Sequence, residues 1–481
     1  MRGWLLAFVL VSAAVSRPVA QSSPAIDWSA IEQETLTHFQ ALVRMDTSDP
    51  PGGEKPAADY LASVLKKEGI TVEVFANEPN RPNVVARLTG SGRKRPILIM
   101  GHTDTVNIDP KKWTHPPFGA VRDGGYIYGR GTVDDKDNVV AALIVMLMLK
   151  RSNVPLDRDV VFLAEAGEEG ATRVGVELMA NQHFRAIDAE YCIAEGGGVT
   201  RQGGQVRYAS VQTVEKVPNR IDLIAHGPAG HGSVPLMTNA VVGLSKAVAA
   251  VAEWQPPIDL NDTTAAYFSR LAAISPPEQA RYYRDVLTGD AKAAAAADAW
   301  LREHEPRHAS MLRTSISPNI IQGGYRSNVI PSEARASLDV RMLPDENPAR
   351  FLEQLKRVVN DSSVEAVFTG GSRADAHWSP TGQPRSGGES SINSEAFKAI
   401  EAAVTKHYQT TTLPTMSTGA TDMAFLRAKG IQCYGIGPAL DFEDGPKGFG
   451  SHSDQERILE SELHRFVRFN WDVVVNLARR P

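Results

Sequence analysis

Two cysteines, Cys192 and Cys433, are all that the 481 residues hold. That excludes a disulfide scaffold and a cysteine-only zinc site. The two could be bridged in an oxidising compartment or stay as buried thiols, and the sequence leaves both open. Basic residues are not in excess: 51 Lys and Arg face 56 Asp and Glu, for a net charge of −5. No nucleic-acid partner is expected from that balance. Long apolar runs are also missing. The longest uninterrupted one after the N-terminus, residues 139–149, has 11 residues. It suits a buried helix and falls short of the about 20 residues that span a bilayer. No internal repeat is present. What remains is ordinary globular composition, 42% hydrophobic and 22% charged. This rules out a mainly disordered, collagen-like or coiled-coil chain. At about 150 residues per domain, the length predicts about three units or two large ones.

The N-terminus stands apart. Arg2 precedes a mostly apolar run over 4–15, and Ser16, Arg17, Pro18, Val19 and Ala20 follow. A basic start, a short apolar core and a small residue before a cut read as a secretory signal at 1–20. The mature chain is then expected to be secreted or periplasmic, with no stable membrane span after cleavage. An uncleaved anchor is the alternative.

Apolar residues at helical spacing predict helices over 26–44 and 56–68, the second stopped by Gly69. Strands are predicted at 72–75 and 83–88. Residues 96–100 form an apolar run ending in Gly101-His102, a buried strand that delivers polar residues at its C-terminal end. Residues 159–164 and 189–194 repeat the pattern, ending in the 165–170 cluster and in Glu195. A helix over 138–150 lies between. Strands alternating with helices, with polar clusters at strand ends, predict an α/β sheet whose site lies at those ends. Beyond Lys216 the pattern changes. A strand at 221–225, a helix at 239–254, strands at 314–322 and 333–341, a helix at 348–359 and a strand at 364–369 follow. That order is a ferredoxin-like α+β unit. An insertion at 255–311, with alanines at 293–297, has helical composition. A Pro/Gly/Ser-rich return loop covers 376–388, then a helix at 394–408 and a buried strand at 430–436. The expected organisation is one α/β domain at 25–215 and 376–481. It is interrupted at 216–375 by the smaller unit with its helical insertion.

Polar residues of metal-ligating type follow these strands. They are His102 and Asp104, Asp134 and Asp135 in the Gly-Arg-Gly-Thr-Val-Asp-Asp-Lys run at 129–136, Glu168 with Glu169, Glu195, and His452. Neutral imidazole with carboxylate oxygen suits zinc or a similar divalent ion. Such a set can hold two ions if one carboxylate bridges them. Each piece alone has an ordinary reading: a hydrogen-bonded histidine, a solvated Glu-Glu pair, an Asp-Asp-Lys turn. The combination, in this order and at strand ends, is far harder to reach by accident.

These segments resemble the di-zinc metallopeptidase family that includes glutamate carboxypeptidase, aminoacylase, succinyl-diaminopimelate desuccinylase and acetylornithine deacetylase. Further matches are Trp113 with Pro116-Pro117-Phe118, Gly230-His231-Gly232-Ser233, Asn328-Val329-Ile330-Pro331, Asp339-Val340-Arg341, Gly419-Ala420-Thr421-Asp422 and Ser451-His452-Ser453-Asp454. The resemblance runs over about residues 26–477. It implies a catalytic zinc-peptidase α/β/α domain with an inserted ferredoxin-like lid and dimerisation domain. It implies two divalent metal ions, Zn2+ first, with Co2+ or Mn2+ as alternatives. His102 and Glu195 would hold one ion, Glu169 and His452 the other, and Asp134 would bridge them. Asp104 would hold the His102 ring in its ligating tautomer. A cis peptide would fall between Asp134 and Asp135. Glu168 would be the general base, because one of two adjacent glutamates must stay free to take a proton while the other coordinates. His231 would reach a partner's active site in a homodimer. Asn328 and Arg341 would hold the substrate carboxylate or the oxyanion, a planar guanidinium suiting bidentate carboxylate binding. Gly419 and Thr421 would line the substrate pocket.

Two features depart from the family pattern. Asp137 stands where many relatives carry Gly, though an acid there suits the helix dipole. The 255–311 insertion looks more like larger members related to carboxypeptidase S and the N-acyl-amino-acid hydrolases. The implied reaction is cleavage of an amide bond next to a free carboxylate, in a dipeptide, a C-terminal residue or an N-acyl amino acid. A broader amidase or carbamoylase would use the same metal set. A non-catalytic binding protein would lack a ligand or the base, and none is missing here. A phosphoesterase could also use two metals, but phosphate-binding glycine loops are absent.

Overall fold

The computed structural model describes residues 26–369 and 388–480. The signal-type segment at 1–20 and residues 376–387 of the expected return loop lie outside the described residues.

The chain opens with α1 (Trp28–Val43) and α2 (Lys55–Lys67). The Asp27 carboxylate caps α1 by accepting from the Ala30 N–H. Then come β1 (Thr71–Phe75), β2 (Asn83–Leu88), β3 (Ile97–His102), α3 (Lys136–Arg151), β4 (Val160–Glu165), β5 (Tyr191–Ala194), β6 (Gly198–Gln202) and β7 (Gln205–Glu215). The smaller unit follows as β8 (Val217–His226) and α4 (Ala240–Glu253), with four inserted helices, α5 (Asp262–Ile274), α6 (Pro277–Asp285), α7 (Ala291–His304) and α8 (Pro306–Met311). It ends with β9 (Ser315–Gly323), β10 (Glu333–Met342), α9 (Pro348–Val359) and β11 (Val364–Phe368). The chain returns as α10 (Glu395–Tyr408), β12 (Thr412–Ser417), β13 (Gln432–Gly435), β14 (Ala439–Asp441) and α11 (Glu460–Ala478).

The large sheet runs β1-β2-β4-β3-β5-β13-β7-β6-β14, with β12 beside β7. Its centre is parallel: β3 pairs with β4 and β5, and β5 with β13. A parallel centre is covered on both faces, so its strands read as continuous apolar runs rather than alternating ones. β3 and β4 are buried at every residue. α3 is buried from Lys136 to Leu149 and shares one core with residues of α1, α10 and α11. Cys192 and Cys433 are cross-strand partners on β5 and β13. Both are fully buried free thiols.

The smaller sheet is antiparallel in the order β9-β10-β8-β11. With α4 and α9 this is the expected ferredoxin-like arrangement. Along β10 the residues Ala334, Ala336, Leu338, Val340 and Met342 are buried, a period of two that points one face at the helices. β9 is an edge strand and is mostly exposed, Ile320 and Ile321 included.

The inserted helices do not join that core. Tyr267, Phe268, Leu271 and Leu301 pack with Val214 of β7 and with Leu413 and Met416 of β12. This differs from the expected grouping of 255–311 with the smaller unit. The physical reason is the apolar strip that β7 and β12 present, which amphipathic helices bury along with their own apolar faces.

Lys216 is the one residue between β7 and β8. Its buried ammonium donates to the hydroxyls of Ser310 and Ser315, at 3.3 and 3.0 Å. Burial, then the charges of Arg313 and Arg341, bring its pKa down to about 7. The unfolded chain, with a lysine pKa of about 10.4, holds the proton more tightly across the window between the two values. Stability therefore rises with pH through that window, and the cost is fully present below it. Lys216→Met is expected to stabilise the protein by about 1–2 kcal/mol at pH 6 and by less at pH 9. Urea unfolding at both pH values checks this, and an equal effect at both would remove the buried charge as its cause.

Candidate metal centre

The ends of β3, β4 and β5 meet where the 129–135 loop and the 450–456 loop close over the sheet. His102 is the last residue of β3, Glu168 and Glu169 follow β4, and Glu195 follows β5. The carboxylate of Asp134 lies between two imidazoles. Its Oδ1 is 3.0 Å from His102 Nε2, and its Oδ2 is 3.1 Å from His452 Nε2. Glu169 Oε1 lies 3.0 Å from the same His452 nitrogen, and Glu195 Oε2 lies 4.0 Å from the His102 nitrogen. Candidate ligand atoms of His102, Asp134 and Glu169 all fall within 4.8 Å of one another, as do those of His102, Glu168 and Glu195.

Asp104 organises this set without entering it. Its carboxylate accepts the backbone N–H groups of Glu168 and Glu169, at 3.1 and 3.0 Å. Its main-chain oxygen lies 3.1 Å from His102 Nδ1. A proton on Nδ1 satisfies that oxygen and leaves Nε2 to face the site. Asp135 points elsewhere. Its oxygens accept from the His102 backbone N–H at 3.1 Å and from Asn138 Nδ2 at 2.6 Å. The Asp134–Asp135 peptide is cis, as the resemblance implies.

That packing leaves no room at Gly101. A Cβ there would sit 2.6 Å from Asp135 Oδ2 and 3.0 Å from the Val139 backbone nitrogen. Gly101→Ala is expected to cost about 1–3 kcal/mol, since the helix start must move. Metal content should fall with it. Thermal melting and metal-per-chain measurements read the two effects, and full stability would refute the close approach.

A buried ion pair ties the two loops together. Arg130 donates to Glu456 Oε2 at 2.6 Å and to the Ser453 main-chain oxygen at 2.8 Å. Glu456 Oε1 accepts the Val133 N–H at 2.9 Å, one residue before Asp134. His452, in this loop, has a φ of +60°, a left-handed conformation uncommon for a residue with a Cβ.

The electrostatics fit cations. Burial works against charge on His102, but Asp104, Asp134 and Glu195 hold its pKa well above the usual value. Hydrogen bonds to Asp134, then Glu169, raise His452 to about 10. Burial opposes the charge on Asp134, yet the two imidazoles keep it well below the usual carboxylate range. Burial, and then Glu168, push Glu195 well up. Carboxylates gathered this closely, with His102 and Glu168 buried among them, demand positive charge. Divalent ions supply it while leaving both Nε2 atoms free to ligate, and the His, Asp and Glu donor set matches zinc-like ions.

The other predicted site residues lie elsewhere. His231 is exposed, and its Nδ1 accepts from the Ser233 N–H at 3.1 Å and lies 2.7 Å from the Ser233 hydroxyl. Asn328 is exposed beside it, its main-chain oxygen accepting the Gly232 N–H. Arg341 forks onto Asp339 at 2.8 and 3.1 Å. Thr421 gives its backbone N–H and its hydroxyl to Glu215, at 2.9 and 2.7 Å. Gly419 is exposed, its N–H donated to Ser417. The partners described for His231, Arg341, Gly419 and Thr421 are Ser233, Asp339, Ser417 and Glu215, outside the carboxylate–imidazole cluster. The Arg130–Glu456 clamp was not foreseen, because its partners are 326 positions apart.

A model of peptidase family M20/M25/M40 matches residues 98–475. The chain belongs to this family. Aminoacylase-1 of Mus musculus is 24% identical over 411 residues, covering 85% of this chain and 87% of that protein. The N-fatty-acyl-amino acid synthase/hydrolase of Homo sapiens is 26% identical over 276 residues, covering 56% of this chain and 54% of that protein. The match thus spans about half the length of that relative. Among solved structures, an M20 family metallo-carboxypeptidase from Sulfolobus solfataricus matches with a TM-score of 0.63 at 20% identity. That match covers 92% of this chain and 98% of that one. The chain has the fold of that family.

Proposed function

We propose that this M20 hydrolase cleaves an amide bond next to a free carboxylate, in a dipeptide, a C-terminal residue or an N-acyl amino acid. The observation that carries the reading is the Asp134 carboxylate, with one oxygen toward each of two imidazoles. Two divalent ions, Zn2+ first, would be held by His102, Asp134 and Glu195 and by Asp134, Glu169 and His452. When bound they would polarise the scissile carbonyl and ease ionisation of water. The protein supplies the rest. Glu168 takes the attacking water's proton and returns it to the leaving amine. Asp104 holds the His102 tautomer and fixes the turn that carries both glutamates. The names of the aminoacylase and the N-fatty-acyl-amino acid relative support an N-acyl amino acid as substrate.

Arg341, Asn328 and His231 are assigned to the substrate carboxylate and the oxyanion, and Gly419 and Thr421 to the pocket wall. Since His231 and Asn328 are exposed, these roles call for movement of the smaller unit or for a second copy of the chain. The exposed β9 edge with Ile320 and Ile321 offers a surface for such a homodimer. Light scattering on the purified chain tests it. The sequence at 1–20 supports export, and mass spectrometry of the mature N-terminus tests that.

A second reading, a broader amidase, is favoured by one observation. Arg341 already commits two donors to Asp339. A hydrolysis panel of dipeptides, C-terminally blocked dipeptides and N-acyl amino acids separates the two. Cleavage confined to free carboxylates supports the first reading. Equal cleavage of blocked substrates overturns it in favour of the second.

A further inference from the structure

A cavity of about 190 Å³ lies on the far side of Lys216, between the inserted helices and the smaller unit. Its walls combine apolar Val251, Trp254, Pro256 and Ile316 with polar Arg302, Arg313 and Ser315.

The polar residues leave one guanidinium N–H without an acceptor among the described residues. Arg313 is buried, and its Nε–H has no hydrogen-bond partner among the described residues. Its other nitrogens reach Asp298 at 2.5 Å and Gln255 at 3.2 Å. The same Asp298 also faces Arg302, at 3.4 Å. One carboxylate is therefore shared by two guanidinium groups. Lys216 lies one hydroxyl behind the wall, through Ser310 and Ser315. Arg341, opposite Ser315 across β9 and β10, is already neutralised by Asp339. A buried donor such as the Arg313 Nε–H is costly without an acceptor, and a carboxylate oxygen placed at it recovers that cost.

We propose that this cavity is a binding site for a small carboxylate with a short apolar tail, distinct from the metal centre. The carboxylate would meet Arg313 and Arg302, with the Ser315 hydroxyl between it and Lys216. Guanidinium groups suit a planar carboxylate, and the tail would lie on Trp254 and Ile316. The cavity is lined by α4, α7, α8 and β9, so its ligand would touch both the smaller unit and the helices packed on the large sheet. This site is independent of which amide the enzyme cleaves.

Trp254 makes the test local. The metal-loaded, full-length protein is titrated with butyrate while tryptophan fluorescence is followed, with butyramide and inorganic phosphate as comparison probes. A saturable change with butyrate is expected, lost in Trp254→Phe. Arg313→Gln should weaken binding about tenfold, the usual effect of losing a hydrogen bond to a charged group. Arg302 is half-exposed, so Arg302→Gln tests the same site without threatening the fold and should weaken binding several-fold. Butyramide should bind more weakly than butyrate. The proposal is overturned by the absence of saturation, by a response that survives Trp254→Phe, or by unchanged affinity in Arg302→Gln. Butyramide as tight as butyrate would remove the charge from recognition. Phosphate as tight as butyrate would remove the apolar tail.

Discussion

Glu168→Gln is expected to reduce turnover about a thousandfold, within the range measured for general acid–base groups, while both metal ions stay bound. Glutamine keeps the volume and the polar end of the side chain but cannot take a proton. Glu168 stands with His102 and Glu195, while Glu169 faces His452 and Asp134 lies between the two imidazoles. Metal retention should therefore depend on those neighbours, and turnover on Glu168. Metal analysis by mass spectrometry, run beside steady-state kinetics, separates the two. If the variant keeps its metals and its rate, Glu168 is not the base. If it loses a metal, Glu168 is a ligand and the roles of the adjacent glutamates must be exchanged.

Arg130→Met should lower stability by about 3–5 kcal/mol, the usual cost of breaking a buried ion pair from one side. Both partners are at most 2% exposed, so water cannot replace the lost guanidinium. Glu456 is already under pressure: burial, only partly offset by Arg130, raises its pKa to about 7. Without Arg130 it would rise further. A carboxylate whose folded pKa lies above its unfolded value of about 4.3 costs nothing while protonated in both states, and costs more as pH climbs from the lower value toward the higher. The loss should accordingly be larger at pH 8 than at pH 5. His452 should also lose its place, because Arg130 holds the Ser453 carbonyl next to it. Denaturant unfolding at both pH values gives the stability, and metal titration gives the site. A loss that does not change with pH would mean that Glu456 is not the group left exposed to the cost.

The carboxylate–imidazole cluster was largely legible because its residues interrupt apolar strands. His102, Glu169 and Glu195 each come at or just after the end of a run that must be buried, where a polar side chain needs a purpose. The choice of Asp134 over Asp135 came from position within the glycine motif. In the structure, Asp134 faces both imidazoles while Asp135 turns to the His102 backbone and Asn138. Other parts left no such signal. β7 mixes Arg207, Gln212 and Glu215 into a strand of the large sheet, and its polar side chains obscure the pattern until Thr421 and Arg427 are seen to donate to the Glu215 carboxylate. α11 is amphipathic but follows the site in sequence, where attention falls on His452. The inserted helices have clear apolar faces, yet nothing in their own sequence says which sheet those faces cover. Arg341 shows the opposite limit. Its motif suggests a carboxylate from a ligand, and the structure offers it one from two residues away.

The two thiols on β5 and β13 have a practical consequence. Cys192 and Cys433 are fully buried neighbours at the parallel centre of the large sheet. A thiol-reactive dye cannot reach either until those strands part. Fraying of helices, motion of the smaller unit or opening of the β9 edge would leave them silent. Their labelling rate in native buffer is thus a built-in clock for the opening of the central sheet, and it runs without any engineered probe.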